Sequence, residues 1–356
     1  MDTSRTAVES HYCRALGSWA MPFQLNEGIQ EHYVRLILCA ALLSVLGTAP
    51  GAFAQPFPSR PVTVVVPFAA GGPVDVVARL LSDPMRRSLG QPVVVDNTTG
   101  AGGSIGVGRV ARAAPDGYTV SIGHWSTHVV NGAVYALPYD LLKDLEPVAM
   151  IGGNPMLIVA RPGLPANDLR ELIAWVKANQ ARINVGTAGP GSGTHVSGVY
   201  FQNEIGARLQ FIPYKGSGPA MQDLIGGQID MMVDQMSNSL PQVRAGRIRA
   251  YAITARARSA AAPEIPTVDE AGLPGFHMGI WYGTWVPRGT PREAVARLNG
   301  AVVDALSDVA VRQRLAELGL EIVPREQQAP EALGAHHKAE IEKWWPLIKA
   351  AGIRID

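Results

Sequence analysis

Cysteine is almost missing from this chain of 356 residues: it has two, Cys13 and Cys39, both near the N-terminus. Everything downstream can hold no disulfide framework, no thiolate zinc site and no cysteine nucleophile. Net charge is also missing, with 31 Lys and Arg against 30 Asp and Glu. No basic stripe or run marks a nucleic-acid partner or a polybasic membrane patch. After residue 55, no apolar run reaches the roughly 18 residues that a membrane span requires. There is no low-complexity linker and no short internal repeat. What remains is 47% hydrophobic and carries 38 glycines, enough chain for a sizeable core in about two domains.

The N-terminus reads as an export signal. Arg35 precedes the apolar run "LILCAALLSVLG", and "TAPGAFAQ" follows. A basic flank, a short apolar core and a small-residue exit at Ala52 and Ala54 predict a secretory signal peptide, cut between Ala54 and Gln55. An uncleaved anchor is the alternative. Leu38 before Cys39, where a small residue is needed, argues against a lipid anchor. The polar segment ahead of the run is longer than a leader needs, so translation is expected to begin at Met21 or later. Residues 1–54 are thus read as leader plus N-terminal extension, and the cysteine-free remainder as a periplasmic protein.

The rest repeats one unit: a short β-branched strand, a small-residue turn, an amphipathic helix. That alternation predicts α/β architecture with mostly parallel sheets. "VTVVV" (62–66) is a strand, followed by a helix over 74–89 that Gly90 stops. "VVVD" (93–96) and "YTVSIG" (118–123) are strands, "NPMLIVARP" (154–162) is extended, and a helix starts near Asp168. The pattern then restarts with "INVGTA", "LQFIPY", "IDMMVD" and "RAYAIT", and from about Thr290 the chain is mainly helical. Two such units imply two lobes with a cleft between them, where strand carboxyl ends gather ligands.

Three glycine-rich loops follow predicted strands, at 69–73, 100–106 and 186–193. No G-x-x-x-x-G-K-[ST] is present, which excludes a P-loop. Gly106-Val-Gly108-Arg-Val-Ala111 matches a dinucleotide fingerprint only by letter, because no strand runs into it. Gly102-Gly103-Ser104-Ile105-Gly106 matches a nucleophile elbow, but Ser104 lies well beyond its strand, and a helix-capping role suits it better. The common chemistry of the three loops is plainer. Glycine lets backbone N–H groups approach a ligand, and each following helix offers unpaired donors and a positive dipole end. Loops of this kind on two lobes would grip a small anion such as a dicarboxylate without a charged side chain.

The stretches "FPSRPVTVVVPFAAGGPVDVVARLL", "LGQPVVVDNTTGAGGSIGVGRVARAAPDGYT", "VGTAGPGSGTHVSG", "FIPYKGSGPAMQDLIGGQID" and "PTVDEAGLPGF" resemble the substrate-binding receptors of tripartite tricarboxylate transporters, the Bordetella uptake gene (Bug) type, over essentially all of 57–354. "DNTTGAGG" departs from that family's usual N-R/K-P-G-A-G-G by losing a basic residue and a proline. The resemblance implies a two-lobed type II periplasmic binding-protein fold, each lobe a sheet flanked by helices, with the ligand cleft between them. Lobe one maps to 57–157 plus 277–356 and lobe two to 158–276. The implied ligand is a small carboxylate, the implied partners are the permease subunits of such a transporter, and a monomer without cofactor is expected.

By matching position, the resemblance assigns Phe68, Ala69, Ala70 and Gly71 to the first ligand loop, with Asp75 in the turn after it. Gly123, His124, Ser126 and Thr127 follow the third strand. Thr187, Ala188, Ser192 and His195 form the second-lobe loop, then Tyr214, Lys215 and Gly216, and Asp234 ends "IDMMVD". For Asp75 the alternative is compensation of the helix dipole, for His124 an exposed loop position, and for His195 a structural partner. His124 and His128 stand four apart, yet no third ligand supports a metal. Trp125, Trp281 and Trp285 are read as wall or core, and an aromatic acid becomes plausible if the first or second lines the cleft. "KWWP" is read as helix packing. Two other functions remain open at this point: a secreted α/β serine hydrolase using Ser104 or Ser192, and a periplasmic sensor module.

Overall fold

The computed structural model describes residues 56–350; the expected leader and its cut after Ala54 lie outside them. The first strand, β1 (Val62–Val66), is buried almost throughout, as a parallel strand covered on both faces should be. Helix α1 (Pro73–Leu89) starts after an extended Gly72, with Pro73 at a position where its missing N–H costs nothing. It ends at Gly90 in the left-handed conformation, φ 72°. Strand β2 (Val93–Asn97), helix α2 (Ser104–Ala111) and strand β3 (Thr119–His124) follow, and β2 and β3 pair in parallel on either side of β1. The cap of α2 is Gly103; Ser104 is its first helical residue and its side chain caps nothing. A π-helical turn, Ser126–Val130, and the short α3 (Asn131–Val134) lead to β4 (Leu145–Ala160).

Strand β4 is the spine of the molecule. Through Pro155 it pairs with β9 (Gly279–Pro287), and from Met156 it pairs with β7 (Met231–Gln235) and β8 (Arg249–Ile253), all antiparallel. Between lie α4 (Leu169–Asn179), β5 (Asn184–Thr187), α5 (Gly193–Ile205), β6 (Gln210–Pro213), α6 (Ser217–Ile225) and α7 (Met236–Arg244). The strand order is β2-β1-β3-β9-β4-β7-β5-β6. The result is a two-lobed α/β fold whose strand ends open on a shared cleft. Helices α8 (Arg292–Ser307), α9 (Val309–Glu317) and α10 (Pro330–Ala350), with the two-residue strand β10 (Glu321–Ile322) between the last two, return to the first sheet, where α8 packs on α1 and α10 on β4. Among the described residues, no helix is long and apolar enough to cross a membrane.

The sequence reading expects mostly parallel sheets, but five of the nine strand pairings are antiparallel, because β4 and β9 run against their neighbours, and it also misses a central strand. Strand β9, between β3 and β4, is not among the expected strands, and β4 begins at Leu145 instead of 154.

Candidate functional site

Two of the three glycine loops are locked by nearby side chains. In the first, Gly71 sits at φ 81° and donates its N–H to Asp75 Oδ2 at 2.9 Å. The same carboxylate accepts from Arg79 Nε (2.9 Å) and Asn97 Nδ2 (3.0 Å), and Asn97 also holds the Phe68 carbonyl at 2.9 Å. Burial pushes the Asp75 carboxyl up, but these hydrogen bonds outweigh it and leave the group lowered. Both oxygens are therefore occupied, and Asp75 braces the loop from within its own lobe.

The second-lobe loop is built the same way. Ser192 caps α5 by accepting from the His195 N–H at 3.3 Å, and Thr194 Oγ1 accepts from the Ala188 N–H at 2.7 Å. Gly191 donates to His195 Nδ1 at 3.2 Å, and Gly189 to Thr187 Oγ1 at 3.4 Å. Burial lowers the pKa of His195, so the ring is neutral and serves as an acceptor. Tyr214 donates its hydroxyl to Asp223 at 2.6 Å.

These loops meet across the cleft. The Ala69 N–H donates to the Lys215 carbonyl at 3.1 Å, and Tyr135 donates to the Pro190 carbonyl at 2.5 Å. A Cβ on Gly218 would stand 3.1 Å from the Gly71 carbonyl carbon, and one on Gly102 would stand 2.5 Å from the Pro190 oxygen. The glycines thus permit backbone to lie on backbone between the lobes.

Two cavities occupy this junction. The inner one is tiny, about 10 Å³. Its walls include the first residues of three helices: Pro73 and Val74 of α1, Gly193 and Thr194 of α5, and Ser217 of α6, with Ser192, Phe68, His124, Ala188 and Gln235 completing it. The outer cavity, about 540 Å³, shares Phe68 and Ala188 with the inner one and adds Gly100–Gly103, Pro190, Pro213, Tyr214, Lys215 and Pro219. No charged residue lines the inner cavity. Burial pushes His124 down to about 4, so it is neutral; Ser126 Oγ lies 3.1 Å from its Nδ1, and the ring stacks on Phe68. The favourable potential for an anion comes from the three helix N-termini.

The expected site residues divide by position. Phe68, Ala69, His124, Ala188, Ser192, Tyr214 and Lys215 line one or both cavities. Ala70 and Gly71 are exposed on the first loop, and Asp75, Thr187, His195 and Gly216 stand among the loops without lining either cavity. Gly123, Ser126 and Thr127 are interior: a Cβ on Gly123 would meet the His128 ring at 2.2 Å, and Thr127 Oγ1 accepts from the His124 N–H at 3.0 Å. Asp234 is fully buried beside Gln235. Burial pushes its carboxyl up to about 6 although Asn238 and Ser239 each donate to it at 2.7 Å. The sequence reading placed Pro73, Gly100–Gly103 and Gly193 in its three ligand loops without naming them as contacts, and it did not select Val74, Thr194, Ser217 or Gln235.

Ser192 Oγ bonds to Thr194 and its own helix cap and to no imidazole. Ser126 does contact His124, but among the described residues no carboxylate orients that ring. The His124 and His128 Nδ1 atoms turn to Ser126 and Thr127, at 3.1 and 2.9 Å. Trp125 and Trp281 line neither cavity. Trp344 and Trp345 of "KWWP" pack as expected, the first edge-on to Trp125 and the second donating to the Val129 carbonyl at 2.9 Å.

Comparison with known proteins gives a consistent result. The model of the tripartite tricarboxylate transporter family receptor matches residues 77–353. The periplasmic binding protein BugD superposes with a TM-score of 0.81 at 42% identity, covering 84% of this chain and 100% of its own. MatC from Rhodopseudomonas palustris, solved with malate, gives 0.80 at 44% identity over 82% of this chain and 100% of its own. Rpa4515 of R. palustris, solved with adipate, gives 0.79 at 35% identity over 84% and 100%.

Proposed function

We propose, from the premise that this chain belongs to the tripartite tricarboxylate transporter receptor family, that it is an exported receptor which captures a small carboxylate between its lobes and delivers it to a membrane permease of that transporter class. One observation carries the reading: the N-termini of α1, α5 and α6, drawn from both lobes, converge on one cavity lined by no charged side chain. A carboxylate there would receive hydrogen bonds from first-turn N–H groups, directly or through water, and close the lobes by bonding to both. That MatC and Rpa4515 were solved with malate and adipate supports a carboxylate as the ligand class.

The contacts fall to Phe68, Ala69, His124, Ala188 and Ser192, with Val74, Gly193, Thr194 and Ser217 added for their position at the helix starts. Asp75, His195 and Thr187 hold the loops in shape. Lobe one comprises 57–157 plus 277–356 and lobe two 158–276; the change of partner along β4 between Pro155 and Met156 supports the first boundary. The leader within 1–54, cut after Ala54, supplies export to the periplasm. Ser192, held as a helix cap, disfavours the hydrolase reading.

A thermal-shift panel of dicarboxylates, tricarboxylates, acidic amino acids and aromatic acids tests this. A ligand at about 100 times its Kd adds roughly 2.7 kcal/mol, or about 4 °C in Tm for a folded body of roughly 300 residues. A saturable shift with at least one acid is expected. No shift with any, in protein shown by mass spectrometry to carry no bound acid, overturns the reading.

A further inference from the structure

Resting on the carboxylate-receptor reading, we propose that the ligand of this chain is an unbranched or aromatic dicarboxylate with a long apolar body, not a short hydroxy acid or a tricarboxylate. The outer cavity sets this selectivity. At about 540 Å³ it lies within the range of small-ligand pockets, and it adjoins the inner cavity across Phe68 and Ala188. Its walls are the Phe68 ring, alanines, Pro190, Pro213, Pro219 and bare glycine backbone. Only two of its side chains carry a polar group, Tyr214 and Lys215.

Those two groups define the ligand. The Tyr214 hydroxyl is committed to Asp223 at 2.6 Å, so Tyr214 offers its ring. A ligand hydroxyl in this cavity would find one free side-chain group, the Lys215 amine, and would compete with a distal carboxylate for it. Lys215 is exposed, lines the cavity, and among the described residues makes no ion pair. One amine matches one distal carboxylate. A tricarboxylate would bring a second distal charge with no cation to meet it. The ligand that fits carries one carboxylate at the helix starts, methylenes or a ring against Phe68, Tyr214 and the prolines, and a second carboxylate at Lys215.

The test is calorimetric titration of the mature protein, freed of small molecules by dialysis, with the series succinate, glutarate, adipate, pimelate, and with malate, citrate and terephthalate. Each added methylene that reaches the apolar wall should tighten binding roughly fourfold. Adipate or a longer diacid, or terephthalate, should bind roughly tenfold or more tighter than malate or citrate. Lys215→Met should weaken the diacids about two- to fivefold and leave the monocarboxylate hexanoate unchanged. Malate or citrate binding tightest, or affinity flat along the series, overturns the proposal while the receptor reading stands. Heat from none of the carboxylates overturns both.

Discussion

Gly218 shows most directly how single residues govern closure. It lies in the first turn of α6, and the atoms a Cβ would crowd belong to Gly71, Gly72 and Ala70 across the cleft, at 3.1–3.3 Å. Gly218→Ala should therefore burden only the closed form. Ligand affinity should fall by roughly tenfold, the scale of overpacking by one methyl group, while the unliganded Tm holds or rises, because alanine favours helix over glycine. Calorimetry and a melting curve check the two arms, and unchanged affinity would show that the lobes do not close on these residues. Gly71 is a poorer probe: nothing stands within 4 Å of its would-be Cβ, and its φ of 81° strains any replacement. At this scale the sequence revealed the loops but not the use of their glycines. Contact between two loops far apart in the sequence leaves no local signal, so Gly102 against Pro190 and Gly72 against Gly218 appear only in three dimensions.

Among elements, those with local punctuation were legible. Helix α1 carries Gly72-Pro73 at its start and Gly90 at its end, and α4 is capped by Asp168, which accepts from the Glu171 N–H at 2.9 Å. Strands β1, β2 and β5 are β-branched runs or end in glycine loops. Strand β9 and the first half of β4 were not legible. "GIWYGTWVP" and "LEPVAMIGG" mix aromatics, glycine and proline without period-two alternation, because both are covered on two faces. Their register also slips twice, between Pro147 and Ala149 and between Met150 and Gly152. Packing chooses strand here. A Cβ on Gly152 would stand 2.2 Å from the Glu321 carbonyl oxygen, so its glycine answers to β10 and not to any turn.

At the scale of the whole molecule, buried imidazoles set the response to acid. Burial lowers His124 and His337 to about 4, and lowers His128 well below its ordinary value, helped by His337 and His124 nearby. The unfolded chain takes up protons near pH 6.5 that these native rings refuse. Their contribution is complete above pH 6.5 and is lost as pH falls toward 4. Between pH 6.5 and 5.5 each costs about 1 kcal/mol. Asp234, raised to about 6, acts in the opposite sense: its contribution is full below about pH 4 and is lost as pH rises through 6, so acidification favours it. One carboxyl against three imidazoles leaves a net loss of about 2 kcal/mol, and calorimetry should find the Tm lower at pH 5.5 than at 6.5. An unchanged or higher Tm at pH 5.5 would mean that these rings are charged in the native protein. The two-lobed plan was legible in the sequence, from the restarted strand-loop-helix pattern and from quoted motifs; the closed junction was not.

The most direct test of the central claim is an amide NMR titration of the mature protein with adipate. Capture at converging helix starts predicts that the largest shifts fall on the N–H groups of Val74, Gly193, Thr194, Ser217 and Gly218, from both lobes together and saturating as one event. Shifts confined to one lobe, or centred away from these helix starts, would contradict it.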